Sequence, residues 1–190
     1  MNLSQLAEKL SGEVYDSKMW RQLYATDASV YRELPQAVAF PKNDEDIREL
    51  IGFARGNDTS LIPRTAGTSL AGQCVGDGII VDISRYMNRI LEINEDERWA
   101  RVEPGVIRDE LNFYLKPKGL LFGPNTSTSN RAMIGGMVGN NSCGSYSIVY
   151  GSTRDHVLEL SCILSDGSHA VFGPLSLEQL KEKSKGDSLE

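Results

Sequence analysis

The sequence predicts an α+β fold in two lobes, a small α/β lobe followed by a lobe of antiparallel strands and helices. Three observations carry this. A helical apolar repeat near residues 44–56 lies between short apolar runs; from residue 89 onward the apolar runs face each other across short polar turns; and residues 123–151 are almost all small or amide-bearing.

Residues 1–36 are expected as a helical N-terminal extension. Asn43 and Asp44 offer N-caps, and Ile47, Leu50, Ile51 and Ala54 recur at helical spacing until Gly56-Asn57 stops the pattern. A short apolar run ends Leu61-Ile62-Pro63, a glycine-bearing loop follows, and Ile79-Ile80-Val81-Asp82-Ile83 reads as a strand. Residues 37–88 therefore form the first lobe.

Residues 89–175 form the second. Ile90-Leu91-Glu92-Ile93 and Trp99-Ala100-Arg101-Val102 flank Asn94-Glu95-Asp96-Glu97 as a hairpin. Val106, Ile107, Leu111, Tyr114 and Leu115 mark a helical face that ends at Lys118-Gly119. Residues 157–164 and Ala170-Val171-Phe172 pair around Asp166-Gly167. The remainder, 176–190, is a polar tail ending Leu189-Glu190, a dipeptide that a cloning site before a purification tag also leaves.

Composition narrows the function classes. The 190 residues are 40% hydrophobic and 24% charged, ordinary for a globular domain. A net charge of -6 without a basic run argues against nucleic acid. Cys74, Cys143 and Cys162 are odd in number and lack CxxC spacing, which argues against a disulfide framework and a metal site and for a reducing, cytoplasmic compartment. No stretch approaches the roughly 18 uncharged apolar residues of a membrane span, and Met1 to Leu10 lacks a signal-peptide core.

Two segments carry chemistry. The loop Arg64-Thr65-Ala66-Gly67-Thr68-Ser69-Leu70 directly follows a strand. Its small side chains let backbone N–H groups converge on an anion, and its hydroxyls add donors without bulk. A diphosphate is the natural guest; a surface turn that merely needs glycine is the alternative.

The second segment holds Gly123-Pro124-Asn125, then Ile134-Gly135-Gly136, then Asn140-Asn141-Ser142-Cys143-Gly144, then Tyr150-Gly151. So little bulk over such a length suits a large, flat, polar cofactor better than a packed core. The apolar Met133, Ile134, Met137, Val138, Ile148 and Val149 interrupt it as anchors of an ordered segment would. Neither GxGxxG nor GxxxxGK[ST] occurs, so a nucleotide is held by some other arrangement than a Rossmann or P-loop turn.

These motifs, with Tyr24-Ala25-Thr26-Asp27-Ala28-Ser29, Val102-Glu103-Pro104-Gly105-Val106 and residues 150–157, resemble the FAD-linked oxidase family of the p-cresol methylhydroxylase and vanillyl-alcohol oxidase type, closest to its D-lactate and D-2-hydroxyglutarate dehydrogenases. The resemblance implies a PCMH-type FAD-binding domain, here truncated. It places Arg64 to Leu70 around the FAD pyrophosphate and Pro104 and Gly105 by the adenosine half. Ile134, Gly135, Gly136, Asn140, Asn141, Cys143, Gly144, Tyr150 and Gly151 fall along the ribityl chain and isoalloxazine, the Val157 backbone falls near the adenine, and Pro124 is a further cofactor-binding residue.

Relatives that attach flavin through a loop histidine carry it where Thr68 stands, so the FAD is expected to be noncovalent. The implied reaction moves a hydride from the hydroxyl-bearing carbon of a 2-hydroxy acid to flavin N5 while a base takes the hydroxyl proton. In the family that base and the carboxylate-binding groups sit in a later cap domain, so the fragment alone is expected to be inactive and no catalytic residue is assigned to it. The electron acceptor is unassigned. His156 and His169 read as structural, Cys143 as a small residue beside close backbone, and Asp44, Glu45, Arg48 and Glu49 as solvated surface.

Two other readings stay open. One is a nucleotide-binding module without catalysis; the other is a flavin reductase of the UDP-N-acetylmuramate precursor type. Gly67-Thr68-Ser69-Leu70 and Asn140-Asn141 fit the hydroxy-acid group better.

Overall fold

The computed structural model describes residues 2–186. The Leu189-Glu190 dipeptide lies outside the described residues. In chain order the elements are α1 (Leu3–Lys9), β1 (Glu13–Tyr15), α2 (Lys18–Leu23), β2 (Ala37–Phe40), α3 (Asp44–Gly56), β3 (Leu61–Arg64), β4 (Ile79–Asp82), β5 (Ile90–Asn94), β6 (Trp99–Val102), α4 (Arg108–Leu115), α5 (Ile134–Gly139), α6 (Ser147–Tyr150), β7 (Leu160–Ile163), β8 (His169–Phe172) and α7 (Leu177–Lys183).

The first lobe is a four-stranded sheet in the order β1-β2-β4-β3. β4 lies between β2 and β3 and is parallel to both, while β1 joins the outer side of β2 antiparallel, Glu13 opposite Phe40. Every residue of β2 and β4 is buried, as expected of strands covered on both faces.

Alternation along these strands divides the core in two. One face sets Ala37, Ala39, Ile79 and Val81 against Leu50 of α3 and Leu6 and Leu10 of the N-terminal segment. The other sets Val38, Phe40 and Ile80 against Tyr15, Trp20, Tyr24, Ile62 and Tyr86. There Tyr15 stacks on Trp20 at 4.6 Å, and Phe40 meets Trp20 edge-on at 5.5 Å.

The N-terminal segment therefore holds two helices and also an edge strand. A buried carboxylate joins it to α3. Asp46, 2% exposed, accepts from the Ser11 and Lys42 amides, each at 2.8 Å, while its own amide donates to the N-cap Asn43 side chain. Two loop amides and one helix end are satisfied by two side chains, Asp46 and Asn43.

The second lobe has two antiparallel hairpins. β5 pairs β6, and Val106 with Leu111 and Leu115 of α4 packs against Ile90, Ile93, Ala100, Val102, Phe122 and Ile134. β7 pairs β8 around Asp166-Gly167, and β7 begins at Leu160, because residues 153–156 form a 3-10 turn whose C-cap is Val157.

The lobes touch where Arg48 Nε of α3 donates to the Gly167 carbonyl at 3.2 Å. Arg48 is thus a docking contact as well as the partner of Glu45, a correction to its reading as solvated surface. The polar tail contributes α7, closed by a capping box between Ser176 and Gln179.

Leu50 is fully buried at the centre of the larger core. Its replacement by alanine is expected to lower the unfolding free energy by about 2–5 kcal/mol in chemical denaturation.

Candidate functional site

The first glycine-bearing loop leaves the sheet at Arg64, whose Cα pairs with Asp82. Gly67 takes a left-handed φ of 64°, so the chain turns sharply here, and its carbonyl accepts from the Ala28 amide at 3.1 Å. Ser69 organises the second half: its Oγ accepts from the Ala71 and Gln73 amides and donates to Gln73 Oε1. Thr65, Ala66 and Thr68 are half-buried, and Leu70 stands 80% exposed.

The loop meets the second segment at α5. A Cβ on Gly136 would collide with Thr65 Oγ1, and one on Gly135 would lie 2.5 Å from Pro104 Cβ. The Gly135 amide donates to the Pro104 carbonyl at 2.8 Å and the Ile134 amide to Val106 at 2.9 Å, so α5 begins on the turn that leaves β6. Gly105 in that turn donates to Met87 at 2.8 Å. At the other end of α5, Asn140 Oδ1 accepts from Gln73 Nε2 at 2.7 Å. Residues 64–73, 104–105 and 134–140 are thereby brought into one place.

The remaining predicted residues form an adjoining shelf. Asn141, with φ 44°, accepts on its side chain from the Arg154 amide, and the buried Thr153 donates from both its amide and its hydroxyl to Ser142. Gly144 exchanges hydrogen bonds with Ser147 at the start of α6, and Gly151 donates to Ser147 at its end. Tyr150 lies on Gly123, and the Tyr146 amide donates to Asn125 Oδ1. Pro124 is fully buried, its carbonyl accepting from Arg108 Nε at 3.1 Å. Cys143 is exposed.

Val157 is half-buried at the end of the 3-10 turn, its amide bonded to Arg154, and no described hydrogen bond joins it to the first loop. His156 Nε2 must donate, because its partner at 2.6 Å is the Tyr150 carbonyl. The ring also meets Phe122 edge-on at 5.6 Å, in keeping with a structural histidine.

Ile148 and Val149, read from sequence as anchors, are 97% and 73% exposed. The correction has a simple cause: α6 is a single turn whose polar ends are bonded and whose apolar face has no cover among the described residues.

Sequence reasoning used the Tyr24 to Ser29 segment as a motif of the resemblance but did not place it beneath the first loop. Arg64 Nη1 donates to the Thr26 carbonyl at 2.8 Å, and its guanidinium lies 5.0 Å from the Tyr24 ring centre. Tyr24 donates in turn to the buried Asp82 at 2.6 Å; burial first and this bond second push its phenol far above the ordinary range. Asp27 accepts from Ser29 and from the buried Cys74 thiol at 3.8 Å. The Thr26-Asp27-Ala28-Ser29 run of short polar residues was the available signal.

These residues fit a large polar cofactor carrying a diphosphate. Threonine and serine hydroxyls, the Asn140 amide and side-chain-free backbone at Gly135-Gly136 gather beside one turn. The Thr126 hydroxyl oxygen of the adjoining segment is buried without a partner in the protein. Among the described residues no group of three His, Cys, Asp or Glu side chains is arranged to hold a metal, and no helix is long and apolar enough to cross a membrane.

Residues 35–173 match the family described as FAD binding domain. The chain is 48% identical over 174 residues to D-2-hydroxyglutarate dehydrogenase of Pseudomonas putida, covering 90% of this chain and 17% of that protein. It is 44% identical over 181 residues to the D-2-hydroxyglutarate dehydrogenase of Escherichia coli, covering 94% and 18%. Glycolate oxidase subunit GlcD of Bacillus subtilis is 36% identical over 154 residues, covering 80% and 33%. The chain thus spans about a sixth of the length of the dehydrogenases it matches.

Among solved structures, 6-hydroxy-D-nicotine oxidase of Arthrobacter nicotinovorans superposes with a TM-score of 0.75 at 23% identity, covering 86% of this chain and 36% of that one. The BBE-like 1 protein of Physcomitrella patens gives 0.75 at 19%, covering 91% and 38%. At such identities the likeness is one of fold, and it supports the two-lobed α+β architecture.

Two outcomes test this geometry. Gly135→Ala forces α5 off Pro104 and is expected to destabilise the chain by about 1–3 kcal/mol in denaturant titration. Burial works against ionisation of Glu103, yet its bonds to Arg89, with Oε1 2.7 Å from Nη2, hold the carboxyl below its usual range. A depressed folded pKa contributes stability above the unfolded value that is lost as pH falls. The stability difference between wild type and Glu103→Gln is therefore expected to be widest near neutrality and to shrink below about pH 4.

Proposed function

The chain belongs to the FAD binding domain family, and from that premise we propose that it is the FAD-binding part of a dehydrogenase that oxidises a D-2-hydroxy acid. D-2-hydroxyglutarate is the first candidate substrate, with D-lactate and glycolate behind it. The observation that carries the reading is the meeting of the Thr65–Ser69 turn with Gly135-Gly136 and Asn140, which gathers neutral donors beside side-chain-free backbone.

In this reading each segment has its own work. Residues 64–70 surround the diphosphate with N–H and hydroxyl donors, Pro104 and Gly105 border the adenosine, and α5 with residues 140–151 lines the ribityl and ring portions. Bound flavin supplies the two-electron acceptor for a hydride leaving the hydroxyl-bearing carbon. Thr68 has no ring nitrogen to bond the flavin, so attachment at this loop is noncovalent.

The relatives run far beyond the matched segment. We place the substrate carboxylate's partners and the base for the hydroxyl proton in that further part, since His156 and His169 are each engaged in local hydrogen bonds. The exposed Tyr146, Ile148 and Val149 would then be covered by it or by the flavin.

A visible spectrum of the intact protein is the decisive test. Flavin bands that bleach on anaerobic addition of D-2-hydroxyglutarate or D-lactate are expected. Absence of bands even after incubation with FAD would favour a nucleotide-binding module, and bleaching by neither acid would move the proposal to another flavin reaction.

A further inference from the structure

We propose that Arg64 is a positioning residue, an internal strut that shapes the first glycine-bearing loop for a diphosphate, and that it does not itself pair with the phosphates. The diphosphate rests on the flavin reading above; the strut rests on geometry alone.

The Arg64 backbone is fixed by the sheet, its carbonyl accepting from the Ile83 amide at 3.1 Å. Its side chain then turns back to the N-terminal segment. Nη1 holds the Thr26 carbonyl at 2.8 Å, the guanidinium faces the Tyr24 ring, and Nη2 lies directly beneath Gly67, where any Cβ would strike it. The Gly67 carbonyl is pinned by Ala28, two residues along the same segment. One planar group thus spans the gap between residues 24–28 and the turn, which a flexible ammonium does not reproduce.

The loop's far end is tied to the same segment. Cys74 donates to Asp27, and Asp27 is held in its turn by the Ser29 amide. Arg64 acts electrostatically on Asp27, Cys74 and Tyr24, the groups on the inner side of the loop. Tyr24 is locked by Asp82, the residue opposite Arg64 in β4. The guanidinium's hydrogen bond to Thr26 and its contact with the Tyr24 ring both run inward, and the other groups this loop offers an anion are neutral: backbone N–H groups and the hydroxyls of Thr65 and Thr68. Diphosphate affinity should accordingly depend little on ionic strength, because no exposed ion pair is there to be screened.

The test compares wild type, Arg64→Ala, Arg64→Lys and Tyr24→Leu in the intact protein. FAD affinity is measured by flavin fluorescence in about 50 mM and about 500 mM salt. Thermal midpoints and hydrogen exchange at the Ala28 amide are measured without FAD. The strut predicts that both Arg64 variants lose FAD affinity at least about tenfold and that Tyr24→Leu weakens it as well. It also predicts faster exchange at the Ala28 amide, which donates to the Gly67 carbonyl, in the cofactor-free Arg64 variants, and wild-type affinity that changes by less than about twofold with salt.

Arg64→Lys with wild-type affinity, steep loss of wild-type affinity in salt, or unchanged exchange in cofactor-free Arg64→Ala would each overturn the proposal. If wild type binds no FAD at either salt concentration, the flavin reading fails, while the exchange comparison still decides whether Arg64 braces the loop.

Discussion

The arrangement turns on one close approach of backbone to backbone, α5 against Pro104. With the Gly135 amide on the Pro104 carbonyl at 2.8 Å and no side chain between them, α5 can start at the end of β6 and run past Thr65 to Gln73. Any side chain at 135 pushes α5 away from Pro104, and protein interiors transmit such displacements because they are close-packed. The first loop, the β6 turn and the small-residue segment are three remote parts of the chain, and this contact is what makes them one site.

Much of the architecture was legible in the sequence because each element carried its own local signal. The Asn43 cap, the spacing of Leu50 and Ala54 and the stop at Gly56-Asn57 specify α3 without help from the rest of the chain. Asn94 to Glu97 mark the β5–β6 turn, and Gly119 closes the helical run after α4 in the left-handed conformation. Residues 79–82 are apolar throughout but for Asp82, as a strand buried on both faces must be.

What escaped the sequence lives in long-range pairing. Glu13-Val14-Tyr15 is too short to show a period, and it becomes a strand only because β2 offers an unpaired edge. Arg48 has the surroundings of a surface residue until β7 and the turn that follows it fold back upon α3. In the candidate site the small-residue segments announced themselves, whereas the bracing by Tyr24, Arg64 and Asp82 did not. A guanidinium in a polar loop carries the same local pattern whether it points outward or in.

The strand order carries a consequence for how this chain acquires its shape. β2 and β3 have no mutual ladder; each pairs with β4, which comes after both in the chain. During synthesis the first lobe therefore cannot assemble progressively from its N-terminus, since its central strand emerges last of the four. Until residue 82 is available, β2 and β3 wait with open edges, and insertion of β4 completes the sheet and closes the 65–78 loop in a single event. The loop proposed to receive a cofactor is thus among the last parts of the lobe to take form, because its closure is coupled to the pairing of β4 with both of its neighbours.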